Sequence, residues 1–220
     1  MCLINKQRGI VLSILVMLCV MMLSGCGSDD SKKVKKGDTI EFGGHNWIVL
    51  DVQDGKVLIL SEKILKHREY HSQNVAVTWE SSSIRKYLNT KFLQTFSPSD
   101  RKRILDTKVV THDNPWYGTP GGAATTDKIF LLSLEEVVQY FGDSGKLKNR
   151  PGQDDYFTDQ YNQSRIAYDK DGEDSVWWLR SPGAADSVSI ISHGGVVGVK
   201  GDYAYYGFAG VRPALWLKLQ

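Results

Sequence analysis

The chain has 220 residues, with 27 Lys and Arg against 25 Asp and Glu, and 41% of it is apolar and 10% aromatic. This balance argues against a nucleic-acid binder, which needs a basic surface to displace counterions from phosphates. The apolar content excludes a disordered polar tail. All three cysteines (Cys2, Cys19, Cys26) and all four methionines (Met1, Met17, Met21, Met22) fall within the first 26 positions.

At the N-terminus, Lys6 and Arg8 precede an apolar run from Ile10 to Leu23. The run is shorter than the ~20 residues of a spanning helix and has the length of a signal-peptide core, roughly 7 to 15 residues. It ends in Leu23-Ser24-Gly25-Cys26, which resembles the lipobox of bacterial lipoproteins. That resemblance implies cleavage after Gly25, diacylglycerol on Cys26, and a membrane-anchored domain on the extracytoplasmic face. Two acyl chains anchor stably, each buried methylene contributing ~0.8 kcal/mol. Residues 1–25 are thus expected to be a signal helix, 26–36 a lipidated tether, and 37–220 a single globular domain. Removing the signal takes away Lys6 and Arg8 but no acid, which leaves 25 basic against 25 acidic residues. In the tether, Lys32, Lys33, Lys35 and Lys36 either touch anionic headgroups or are simply solvated. With Cys26 lipidated the folded part has no thiol, so a cysteine nucleophile, a Cys-ligated zinc and a disulfide framework are all excluded.

In the domain, strands are expected at Glu41 to Phe42, Asn46 to Val52 and Lys56 to Leu60, the last two joined by Asp54-Gly55, a hairpin signal. From Ser81 the spacing of Ile84, Tyr87, Leu88, Phe92, Leu93 and Phe96 predicts a helix. Ser97, Pro98 and Asp100 start a second short helix running to about Leu105. The unbroken apolar run Ile129 to Leu132 predicts a buried strand. Ser133 with Glu136 forms a capping box that launches a helix over Leu134 to Phe141. Residues 142–172 are polar and Gly-rich, so a long loop is expected there. Strand-like runs follow at Val176 to Arg180, Ser187 to Ser192, Val196 to Val199 and Val211 to Leu219, separated by glycine turns. The order predicts an α+β domain of antiparallel strands with short helices.

Several segments together resemble a family of uncharacterised bacterial domains of unknown function. They are Gly37 to Leu50 (GDTIEFGG with W.VL), Thr78 to Asn89, Asp127 to Glu136, Trp177 to Gly183 (WWLRSPG) and Gly210 to Leu217 (GVRPALWL). The resemblance implies no activity. More distantly, a tryptophan-bearing strand, a long loop and a closing strand with G.R are similar to the C-type-lectin-like fold and its sulfatase-modifying group. The catalytic cysteines of that group, and the EPN or QPD plus WND calcium-sugar motifs of true C-type lectins, have no counterpart here. The likeness therefore implies a binding surface without the enzyme chemistry.

Tyr203, Tyr205, Tyr206 and Phe208 lie between Gly201 and Gly210, too dense in glycine for an ordinary core strand. Trp116-Tyr117, among Pro115, Pro120 and Gly121-Gly122, is a second aromatic loop. These two loops are the expected ligand surface. Trp177 and Trp178 are adjacent on a strand and face opposite ways; the plainer reading is that both are structural, while an exposed member would suit a glycan. Arg180 and Arg212 either clamp a carboxylate or phosphate or pair with an internal acid. Asp169, Asp171 and Asp174, with Glu173, offer oxygen ligands for calcium, but their spacing does not fit an EF-hand loop and a solvated acidic turn is the plainer reading. No cofactor is otherwise expected. His67 and His71 are misplaced around Glu69 for a zinc-protease motif, and Ser83-x-x-Lys86 lacks the partner motifs of penicillin-recognising enzymes. The expected function is non-catalytic binding of carbohydrate or cell-envelope polymer. The alternatives are a protein-interaction module and an enzyme using acids, His112 or His193.

Overall fold

The structure, a computed structural model, describes residues 33–219. The predicted signal, Cys26 and most of the tether lie outside the described residues. In chain order the strands are β1 (Thr39–Phe42), β2 (His45–Gln53), β3 (Lys56–Ser61), β4 (Lys66–His67), β5 (Thr107–Val109), β6 (Thr125–Asp127), β7 (Tyr156–Phe157), β8 (Trp177–Pro182), β9 (Ser187–Ile191), β10 (Val197–Tyr203), β11 (Gly210–Val211) and β12 (Ala214–Lys218). The helices are α1 (Ser83–Tyr87), α2 (Pro98–Arg103), α3 (Leu134–Phe141) and α4 (Asn162–Arg165).

Both hairpins of the first sheet follow from local chemistry. Asp54-Gly55 closes β2 onto β3, with Gln53 opposite Lys56. Gly43-Gly44 turns β1 into β2 with both residues at positive φ, which a two-residue turn matching the strand twist requires. A β-carbon on Gly43 would also lie 2.3 Å from the Phe96 ring, so the position has no room for a side chain. β12 completes this sheet in the order β1-β2-β3-β12.

The second sheet has six strands in the order β4-β11-β8-β9-β10-β7. Its pairings are antiparallel except β8 with β11, which is parallel. The predicted strand Val211 to Leu219 is thereby divided between the sheets. Pro213 has no N–H to give a ladder, and its carbonyl accepts the Ser61 N–H at 2.9 Å as the chain crosses. Arg212 at the crossing is buried, donates to the carbonyls of Ser61 (3.0 Å) and Glu62 (3.4 Å), and lies over Trp177 at 5.0 Å. Burial pulls its guanidinium down to about 10, still charged at neutral pH. One continuous core joins the sheets, with Trp47, Ile59, Trp79, Leu131, Trp177 and Leu215 among its members.

Two sequence expectations change form. The stripe from Ile84 to Phe96 is buried at Ile84, Leu88, Phe92 and Phe96, yet α1 gives way to a π-helical turn at Leu88–Phe92 and a 3-10 turn at Leu93–Thr95. Thr90 Oγ1 donates to the Lys86 carbonyl (2.5 Å) and Asn89 Nδ2 to that of Arg85 (3.2 Å). Such back-bonding by side chains competes with the regular α pattern. Ile129 to Leu132 is buried, but it is not a strand of any of the three sheets, the third being β5 paired with β6. Its backbone is answered piecemeal, by Asn89 on both sides of Ile129, by a single bridge from Phe130 to Ala214, and by the Arg180 N–H at Leu132. α3 is as expected: Ser133 Oγ accepts the Glu136 N–H (3.2 Å), and Glu136 Oε2 accepts the Ser133 N–H (3.0 Å).

Residues 142–172 hold only the short β7 and α4, and a buried ion pair fastens them. The Arg165 and Asp159 side chains are fully buried and meet at 2.9 Å through both carboxylate oxygens. Arg165 also donates to the Gly142 carbonyl at 3.2 Å. Burial opposes the Asp159 charge, but Arg165, the Ser144 hydroxyl and the Tyr161 N–H outweigh it and hold the carboxyl below its usual range. Among the described residues no helix is long and apolar enough to cross a membrane.

Two outcomes follow. Asp159→Ala leaves a buried guanidinium uncompensated and lowers unfolding free energy by about 3–5 kcal/mol, read from urea denaturation. Because the folded carboxyl is more acidic than the unfolded one, its stabilisation is complete above about pH 4 and lost as pH falls through the folded value. Asp159→Asn therefore has a flatter acid limb than the parent chain.

Candidate functional site

β10 ends in Tyr203, and the chain then turns, the Tyr206 N–H donating to the Tyr203 carbonyl at 3.1 Å. Two small residues fasten the loop. Ala204 and Ala209 are buried, and their carbonyls accept the N–H groups of His71 (2.9 Å) and Arg68 (3.2 Å). The larger side chains around them stand outward: Tyr203, Tyr206 and Phe208 are 43%, 39% and 45% exposed, and Tyr205 is half-buried.

These rings form one wall. Ring centroids lie 4.6 Å apart for Tyr205 and Tyr206, 5.5 Å for Tyr203 and Tyr206, and 6.1 Å for Tyr206 and Phe208. The Tyr206 hydroxyl, then burial, raises the Tyr205 phenol above its usual range, so Tyr205 is a proton-bearing donor at neutral pH. Phe208 leans on Trp178 (6.2 Å) and Trp178 on Tyr70 (5.8 Å), which carries the wall into the core. Nearby polar groups are engaged with one another. Arg68 pairs with Glu69 at 3.3 Å, and His71 Nδ1 meets Ser83 Oγ at 3.2 Å. His67 instead meets Ser175 at 2.8 Å, so the two histidines do not converge. An exposed set of aromatic faces with phenol donors can stack on apolar faces of a ligand and hydrogen-bond its hydroxyls.

The second aromatic loop differs. Trp116 donates its indole N–H to the Leu147 carbonyl at 2.8 Å, and its ring contacts Arg150 (5.1 Å) and Phe157 (6.0 Å). The Tyr117 hydroxyl is hydrogen-bonded to Asp155, which also takes Lys200 at 2.8 Å. Arg150 lies over the Tyr117 ring at 4.8 Å. Lys200 and then Tyr117 hold the Asp155 carboxyl below its usual range. The loop is a polar clasp onto residues 147–157 rather than an open platform, and no ring contact joins it to the tyrosine wall among the described residues.

Trp177 and Trp178 are both fully buried, in line with the structural reading, because both faces of β8 are covered. Trp178 therefore offers no ring face to a ligand, and its N–H is used by the Arg68 carbonyl at 2.9 Å. Arg180 is 4% exposed. It forms a two-pronged pair with Glu136 and donates to the carbonyls of Leu131 (2.7 Å) and Val110 (3.0 Å). The capping-box acid is thus its internal partner, a pairing the sequence spacing does not reveal. The pair lines a cleft of about 310 Å³ with His112, Glu135, Tyr140 and Trp216. Burial, then Glu136 and Asp51, push the Tyr140 phenol up to about 12. His112 stands 4.0 Å from Glu135, while both oxygens of Glu136 are held by Arg180.

In the acidic turn, Asp169 accepts the N–H groups of Asp171 (2.9 Å) and Glu173 (3.1 Å). Asp171 pairs with Lys170 at 2.6 Å, and Asp174 accepts the Gly194 N–H at 2.6 Å. Among the described residues no group of three His, Cys, Asp or Glu is placed to hold a metal ion.

The architecture is a single β-rich domain of mixed sheets with few, short helices. The chain belongs to the family described as Domain of unknown function (DUF6273), whose family model matches residues 54–219. No curated protein and no solved structure matches it.

Core and wall respond differently to truncation. Trp178→Ala costs about 3–5 kcal/mol of stability, whereas Tyr203→Ala and Tyr206→Ala each cost less than about 1 kcal/mol. Urea denaturation of the three variants measures this.

Proposed function

We propose that the chain is an extracytoplasmic lipoprotein, held on the cell membrane through Cys26, whose domain binds a carbohydrate or other cell-envelope polymer without turning it over. The observation that carries this reading is the wall of Tyr203, Tyr205, Tyr206 and Phe208, whose touching rings are left exposed by a loop fastened at Ala204 and Ala209. Sugar rings have apolar C–H faces and peripheral hydroxyls, and tyrosine meets both in one side chain. A C-type-lectin-like character is part of the proposal, supported by the frame of two larger sheets beside the β5–β6 pair and by the long, sparsely structured segment 142–172. The tether between Cys26 and residue 37 gives the domain reach from the lipid surface. The reading requires no metal: in the acidic turn Asp169 and one oxygen of Asp174 accept backbone N–H groups, and Asp171 pairs with Lys170.

The test is an array of envelope glycans and peptidoglycan fragments, probed with a soluble chain beginning at Lys33. Specific binding that Tyr205→Ala or Tyr206→Ala weakens at least about tenfold, an energy of ~1.4 kcal/mol, is the expected result, with Trp116→Ala having a smaller effect and chelator none. Absence of glycan binding sinks the carbohydrate reading and favours a protein partner for the same wall. In cells, Cys26→Ala is expected to move the protein from the membrane fraction to the soluble one.

A further inference from the structure

A second concavity, of about 380 Å³, is unlike the wall in its chemistry. Its apolar lining is Leu65, Tyr87, Leu88, Phe92, Val211 and Pro213. Local structure accounts for it. The π-helical turn Leu88–Phe92 departs from α geometry where Thr90 bonds the Lys86 carbonyl, and such turns recur at functional sites. Pro213, at the crossing between sheets, has no N–H that needs a partner. Both Leu88 and Phe92 come from that turn.

Three polar side chains complete the lining: His45, Thr95 and Lys66. The Thr95 hydroxyl is used by the Phe92 carbonyl at 2.7 Å. His45 lies between Trp47 (6.3 Å) and Phe92 (6.0 Å), and burial lowers its pKa, so it is neutral at pH 7. Lys66 is the cation of the lining. It is exposed, with its ammonium 5.9 Å from the Tyr87 ring centroid, and it makes no ion pair among the described residues. Asp169 and Asp171, in an adjoining hollow that shares Leu65 and Lys66, are taken by backbone N–H groups and by Lys170. No acid lines the apolar pocket itself.

An apolar pocket with few polar groups and one perturbed titratable side chain has the composition of a small-ligand site. Its volume is near the lower end of such sites, roughly 300 to 1,000 Å³, so it has room for one acyl chain and not for both chains of a diacyl lipid. From these features we infer that the pocket holds a single acyl chain bearing an anionic head, the chain between Leu65 and the Tyr87 and Phe92 rings over a floor of buried Leu88, Val211 and Pro213, and the head on Lys66. This site is independent of the aromatic wall and of the polymer-binding reading.

Isothermal titration of the soluble chain with octanoate, decanoate, dodecanoate and dodecanol, each below its micelle-forming concentration, tests the inference. Expected is tightening of roughly tenfold for each two added methylenes. Lys66→Glu is expected to weaken dodecanoate about tenfold while leaving dodecanol unchanged. Thr95→Trp, at an exposed position of the lining, is expected to weaken every probe. No binding of any probe, affinity independent of chain length, or a Lys66→Glu variant that holds dodecanoate as the parent does would each overturn it, as would tighter binding of the neutral dipeptide acetyl-Leu-Phe-amide. Phosphatidylglycerol vesicles identify the source. Vesicle binding reduced by Thr95→Trp assigns the chain to membrane lipid, and dodecanoate binding without such an effect assigns it to free fatty acid.

Discussion

The hydrogen bond from the Trp178 indole to the Arg68 carbonyl couples the buried strand of the domain to its exposed aromatic surface. β8 is covered on both faces, so each polar group it carries inward must find a partner or cost free energy. Trp178 finds Arg68, Trp177 finds the Arg165 carbonyl at 3.1 Å, and the Arg180 guanidinium finds Glu136 and two carbonyls. Holding Arg68 in place also positions residues 68–71, whose N–H groups fasten Ala204 and Ala209. The tyrosine wall is therefore a consequence of how an interior tryptophan is satisfied.

Buried arginines recur as the device that closes regions poor in regular structure. Arg165 with Asp159 gathers residues 142–165, Arg180 with Glu136 ties α3 to β8 and to the edge at Val110, and Arg212 spans the crossing between the two sheets. A planar guanidinium with five donors can answer several carbonyls at once, which suits segments whose backbone has no ladder. Breaking one partner of such a pair is costly, whereas the pair itself adds little net stability. Its contribution here is to specify where loops lie, and hence which side chains they leave exposed.

Much of the frame was legible in the sequence because it rests on local chemistry. Asp54-Gly55, the Ser97-Pro98 start and the Ser133/Glu136 capping box act over a few residues, and each produces its predicted element. What was not legible depends on distant partners. The spacing of Ile84, Leu88 and Phe92 fits an α-helix, but at the π-helical turn Asn89 bonds the distant backbone of Lys128 and Ile129. The run Ile129 to Leu132 is as apolar as a strand, but three separate elements share its hydrogen bonds. Alternation placed Trp177 and Trp178 on opposite faces without telling that both faces are covered. Likewise two aromatic loops looked alike in sequence, and only the arrival of Arg150 and Asp155 from residues 150–155 makes Trp116-Tyr117 a clasp and leaves Tyr203 to Phe208 open.

On the proposed function the open wall, and not the clasp or the clefts, meets an envelope polymer. Mapping backbone amide resonances of the soluble domain by nuclear magnetic resonance, with and without soluble peptidoglycan fragments, tests it most directly. The perturbed amides are expected to concentrate at residues 203–209 and at 68–71, the segment that fastens them. Perturbations centred on residues 114–118 and 147–157, or on the cleft beside α3, or none at saturating fragment, would contradict it.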